Sequence, residues 1–204
     1  MVVTVTDRRE AGRALAHRLR AFRGPDVVLL GMPPGGVAVA AEIAAALHVP
    51  LDVMIAERNR LLGSLRYLRR FRPRVALFGC TAILVQDAVI EADTVRAAVD
   101  AAYARGAVRV VLATPVAARP ALDALAGVPD RIVCLAAPDM LEEVEDWYRG
   151  EEPPTDAEIR RLLTRSRTRP PANAYAAVTV RTFPWPTSVV LPLAPKHESD
   201  EATP

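Results

Sequence analysis

Five short apolar runs, each closed by glycine, proline or an acid, limit this chain to a narrow set of folds. They are Val27–Leu30, Leu51–Ala56, Ala82–Val85, Val108–Ala113 and Arg131–Leu135. None alternates apolar with polar residues, so each reads as a strand covered on both faces. Between them lie helical patterns: the Ala-rich Gly36–His48, Asp93–Arg105 with Gly106 as its stop, and a short helix over Arg119–Ala126. Strand–helix–strand repetition predicts an α/β fold: a doubly wound, mainly parallel sheet of about five strands with helices on both faces. Right-handed crossovers then bring every strand's C-terminal end to one edge, where a ligand crevice opens.

The flanks extend this core. Asp7–Phe22 carries Ala11, Leu15, Leu19 and Phe22 at helical spacing. Asp139–Tyr148 is expected to be helical, and Thr155-Asp156-Ala157-Glu158 forms a capping box opening a helix over Glu158–Thr164. With 204 residues the chain suits one α/β domain, placed at 1–169. Residues 170–195 are rich in proline and β-formers and are expected to lie as an extended arm across the domain or a neighbouring subunit. The tail 196–204 reads as disordered.

Several functions fall away on composition. The net charge of +2 gives no global case for nucleic acid. All but one of the 26 basic residues are arginine, and the single lysine, Lys196, is in the tail. A P-loop or Schiff-base lysine in the body is thereby excluded. Cys80 and Cys134 lack metal-ligand spacing and read as buried thiols, while His17, His48 and His197 are scattered; no metal ligands are assigned. No apolar run is long enough to span a membrane, and the opening residues lack signal-peptide order, so a cytoplasmic location is expected.

The loops after the strands carry the functional information. The first strand ends in Gly31-Met32-Pro33-Pro34-Gly35-Gly36, where glycines permit close backbone approach and the next helix offers oriented N–H groups to an anion. Together with DRREAGRALAHRL, GCTAILVQD, RVVLATPVA and DWY, in this order, the chain resembles the type I phosphoribosyltransferases over most of residues 7–165. It is most similar to a bacterial branch known only as a phosphoribosyltransferase domain. The resemblance implies a core that binds 5-phosphoribosyl 1-diphosphate with magnesium and exchanges diphosphate for a nitrogenous base.

The matching loops depart from the family pattern. Pro34 stands where the branch has arginine before its paired glycines, and Glu57 replaces one cation of a basic pair. Only residues 57–81 remain of the long insert that forms the hood over the base. In the third loop Gln86-Asp87 replaces two adjacent acids, and Glu91-Ala92 replaces the Thr-Gly that wraps the 5-phosphate. A carboxylate about 5 Å from a phosphate dianion costs roughly several kcal/mol at an effective dielectric near 20. Glu91 and Asp93 are instead expected to satisfy the helix N-terminus, with Asp93 as its N-cap. Magnesium is expected only if binding of the phosphoribosyl donor survives.

Gly35, Gly36, Asp87 and Thr94 are the remaining ligand-binding candidates, and Trp147 and Tyr148 the candidates for stacking a base. The arginine-dense stretch 58–74, with Arg66, Arg69, Arg70 and Arg72, reads as an amphipathic helix whose cationic face is either solvated packing or a surface for anions or nucleic acid. Three functions follow: a binding, regulatory or assembly module that has lost transfer, an enzyme acting on a less charged phosphosugar or nucleotide, or a regulator binding RNA or DNA. A homodimer is expected, and a phosphorylated small molecule or a protein is a candidate partner.

Overall fold

The computed structural model describes residues 7–55, 74–141, 144–149, 152–166 and 188–190. Its strands are β1 (Val27–Gly31), β2 (Leu51–Val53), β3 (Thr81–Val85), β4 (Ala88–Val89), β5 (Arg109–Ala117), β6 (Arg131–Ala136) and β7 (Ser188–Val190). The helices are α1 (Arg8–Arg18), α2 (Gly35–Leu47), α3 (Asp93–Ala104), α4 (Arg119–Ala124) and α5 (Asp156–Arg165). All pairings are parallel, in the order β2-β1-β3-β5-β6-β7, with the two-residue β4 alongside the end of β5.

The apolar runs are continuous because alternate residues serve opposite faces. Leu29, Ile83, Val111 and Val133 pack with α1, α2 and α5, whereas Val28, Leu84, Leu112 and Ile132 pack with α3 and α4. Each such side chain, fully buried, contributes on the order of 1.5–3 kcal/mol. Asp7 caps α1 by accepting from the Glu10 N–H at 2.7 Å. The capping box of α5 forms as its sequence indicates, with Thr155 and Glu158 bonded reciprocally.

The sheet is larger than the five expected strands. β7 comes from the Pro-rich arm and lies parallel beside β6, pairing Ile132 with Ser188 and Cys134 with Val190. β5 continues past Ala113 and through Pro115, because Val116 and Ala117 find a partner in β4. Asp139–Tyr148 is not a helix: its described residues hold only a 3₁₀ turn at Glu145–Tyr148. That turn is held by the burial of Tyr148 rather than by helical periodicity.

The second strand stops at Val53, where Asp52 fastens the returning chain. Its buried carboxylate accepts from the Val75 N–H at 3.0 Å and stands 3.9 Å from Arg105 at the end of α3. Cys80 and Cys134 are free and buried, and burial raises their thiols to about 11 and about 12, which keeps them protonated and unreactive. No helix among the described residues is long and apolar enough to cross a membrane.

Candidate functional site

The order β2-β1-β3 reverses the direction of winding between β1 and β3. At such a switch point the loops leaving two adjacent strands diverge to opposite faces and leave a crevice. Here the crevice is a cleft of about 470 Å³ lined by Pro33, Pro34, Gln86, Asp87, Glu91 and Thr94, among others. Two helix N-termini face this edge, those of α2 and α3, and the chain treats them differently.

At α2 the space beside the helix is filled from within. Gly35 and Gly36 are its first two residues, following a cis Pro33–Pro34 peptide. A Cβ on Gly35 would fall on the Asp87 carboxylate, and one on Gly36 would strike the Val85 carbonyl oxygen. The glycines therefore permit close approach of this chain's own atoms rather than leaving a cradle beside them. Asp87 is in turn held by Arg8, whose Nε donates to Oδ2 at 3.0 Å. The Arg8 guanidinium lies 4.5 Å from the centroid of the Tyr148 ring and donates to the Glu152 carbonyl. The Tyr148 hydroxyl closes the cluster by donating to the Asp87 carbonyl at 2.6 Å. Burial raises the Asp87 pKa, and the opposing pull of Arg8 does not fully offset it.

Arg8 escaped sequence reasoning, although a signal was present. It stands three residues before Ala11 and seven before Leu15, on the stripe that α1 buries, and it is 1% exposed. A charge in that register requires a buried partner.

At α3 the helix end remains open. The N-cap position belongs to Ala92, which supplies no capping side chain, and Asp93 is the first helical residue. The expected Asp93 cap is thus corrected by one residue: the chain reaches Ala92 already in helical conformation. Glu91, Asp93 and Thr94 are all exposed, and Glu91 and Thr94 face the same cleft as Asp87.

Tyr148 is fully buried with Arg8 over its ring, so it is an anchor and not a surface for stacking a base. Trp147 packs at the rim against Ala88, Val116 and Ala136. Arg66, Arg69, Arg70, Arg72 and Glu57 lie outside the described residues.

The sequence resemblance implies two adjacent acids in the loop after β3. One of the two expected acids is Gln86, and the other is tied to Arg8. Among the described residues no group of three His, Cys, Asp or Glu side chains is placed to hold a metal.

No protein-family model matches the chain. It is 33% identical, over 78% of its length, to a Mycobacterium tuberculosis protein named "Putative phosphoribosyl transferase", found in two strains. These relatives support a type I phosphoribosyltransferase-like family for the chain. It spans about half, 46%, of the length of these curated relatives. Among solved structures, this phosphoribosyltransferase-like chain is similar to the Thermus thermophilus protein TT1426, with a TM-score of 0.70 and 28% identity over 79% of this chain and 98% of that one. The Aquifex aeolicus protein AQ2163 shares the fold at a TM-score of 0.52 and 11% identity, over 70% of this chain and 85% of that one.

Proposed function

We propose that this phosphoribosyltransferase-like protein no longer transfers phosphoribosyl groups and serves as a binding module. The observation that carries this reading is the Asp87–Arg8 pair packed against Gly35. The carboxylate that would otherwise meet a sugar's hydroxyls is committed to a buried arginine, and the first turn of α2 abuts it. At α3 the exposed carboxylate of Glu91 stands in the cleft where a phosphate dianion would lie. Repulsion there is roughly several kcal/mol at short range, reduced by solvent because Glu91 is exposed.

Calorimetry of the pure protein with 5-phosphoribosyl 1-diphosphate and magnesium is expected to give no saturable heat. Diphosphate release with adenine, guanine, hypoxanthine, uracil or orotate is expected to stay at background. Tight, magnesium-dependent binding of the donor overturns the reading. The binding role also predicts a homodimer, and a strictly monomeric species by light scattering at micromolar concentration removes that part of it.

A further inference from the structure

Five large apolar side chains are exposed among the described residues, and three of them gather where the strands begin, opposite the cleft. Phe78 is 58% exposed, Val108 52% and Tyr103 39%. Phe78 and Val108 lie in the turns leading into β3 and β5, and Tyr103 in the last turn of α3. Backbone bonds hold the three together. The Gly79 N–H donates to the Gly106 carbonyl at 3.0 Å, the Val108 N–H to the Cys80 carbonyl at 3.0 Å, and the Gly106 N–H to the Tyr103 carbonyl at 2.8 Å. Gly106 has a φ of +88°, and a Cβ there would lie 2.9 Å from the Phe78 ring, which therefore rests on bare backbone. Single apolar residues at a surface need no explanation, but a fixed cluster of them marks an interaction surface.

The charges beside the cluster say what it meets. Val27, Thr81 and Arg109 stand in one row across β1, β3 and β5. Asp26, one residue before that row, and Arg109 thus flank the start of β3 on opposite sides, about 10 Å apart by the spacing of strands. Neither makes an ion pair among the described residues. Their neighbours are committed. Asp130 accepts from the Tyr103 hydroxyl at 2.6 Å and the Val110 N–H at 2.7 Å, and Arg105 donates to the Val75 carbonyl at 2.9 Å. An acid on one side of β3 and a base on the other complement the same surface turned through 180°. A partner of different sequence has no need of that symmetry.

We infer that this surface is the contact between two copies of the chain, related by a twofold axis at the start of β3. Phe78 and Val108 are buried between the copies, and Asp26 of each stands opposite Arg109 of the other. This rests on the homodimer proposed above and adds the face that forms it.

Sedimentation equilibrium of the full chain tests it. The parent is expected to be a dimer at micromolar concentration. Phe78→Ser and Val108→Asp, each at a position more than half exposed, should raise the dissociation constant at least tenfold with an unchanged circular dichroism spectrum. Met140→Ser, exposed beyond the end of β6, should leave that constant at the parent's value. Arg109→Glu should weaken the dimer by setting acid against acid, and adding Asp26→Arg should restore it by exchanging the two charges. Parent affinity in both Phe78→Ser and Val108→Asp overturns this inference alone, as does a folded double variant that fails to recover what Arg109→Glu loses. A strictly monomeric parent overturns the homodimer and this inference with it.

Discussion

The N-termini of α2 and α3 flank the same cleft in the same parallel sheet, yet one is closed and the other open. At α2 the position beside the first turn holds Asp87, backed by Arg8 and Tyr148. At α3 the cap position is Ala92, and the neighbouring exposed acid is Glu91. Closure at α2 is built from buried, mutually dependent groups and is costly to undo. At α3 the obstacle is a side chain at the surface, which a substitution can remove without disturbing the core.

The sharpest break in that contrast comes from Arg8→Ala. Removing the guanidinium leaves a largely buried carboxylate, 14% exposed, with only the Asp87 and Ala88 backbone N–H groups as partners among the described residues, and is expected to cost about 3 kcal/mol, the low end for a broken buried pair, read as a lowered denaturation midpoint. Adding Asp87→Asn to it should recover part of the loss, because the amide carries no charge to bury. If Arg8→Ala is as stable as the parent protein, the α2 end is not held by this pair.

Gly35→Ala probes the same end from the helix side. Its methyl would occupy the Asp87 carboxylate position, and overpacking of this kind is expected to cost about 1–3 kcal/mol. Ala92→Gly at the open end should cost less, since Ala92 is only partly buried against the core and its loss removes a single methyl without overpacking.

A third variant converts the open end. Glu91→Thr with Ala92→Gly removes the carboxylate and restores a hydroxyl beside a glycine at the entrance of α3. Binding of ribose 5-phosphate, measured by calorimetry, is expected to rise by roughly tenfold, equivalent to about 1.4 kcal/mol. An unchanged affinity would show that Glu91 is not what repels the anion.

The smallest expected effect is a pH dependence. Because the Asp87 pKa is raised in the fold, its contribution to stability is fully present below the ordinary carboxylate value of about 3.9. That contribution is lost as pH rises through the raised value. The stability difference between the parent and Asp87→Asn should therefore change across that window and level off above it. A difference that instead grows in the parent's favour with rising pH would contradict the direction of the shift.

These tests also mark what the sequence made legible. Continuous apolar runs announced a sheet covered on both faces, and Leu29 and Val28 pack on opposite layers as that requires. The capping box at Thr155 was equally readable, since its signal is local. Asp87 and the Gly35-Gly36 pair were visible as candidates, but their mutual contact spans some fifty residues and has no local signature. Arg8 went unassigned because only the apolar residues of the helix were read for burial, although its register with Ala11 and Leu15 placed it inside. The third loop was misread by one residue because an acid near a helix start suggests a cap, whereas the backbone turns helical at Ala92. β7 depends on pairing with β6 across a long separation, which no propensity within Ser188–Val190 encodes.

The account turns on whether Asp87 stays bound to Arg8 when the natural donor of the family is offered. The Nε–H resonance of Arg8, assigned by its loss in Arg8→Lys, reports that bond directly. On titration with 5-phosphoribosyl 1-diphosphate and magnesium, the resonance should keep its position and its protection from solvent exchange. A saturable shift, or loss of protection as the donor binds, would show that Asp87 is released to the ligand and would contradict the claim that the site is closed from within.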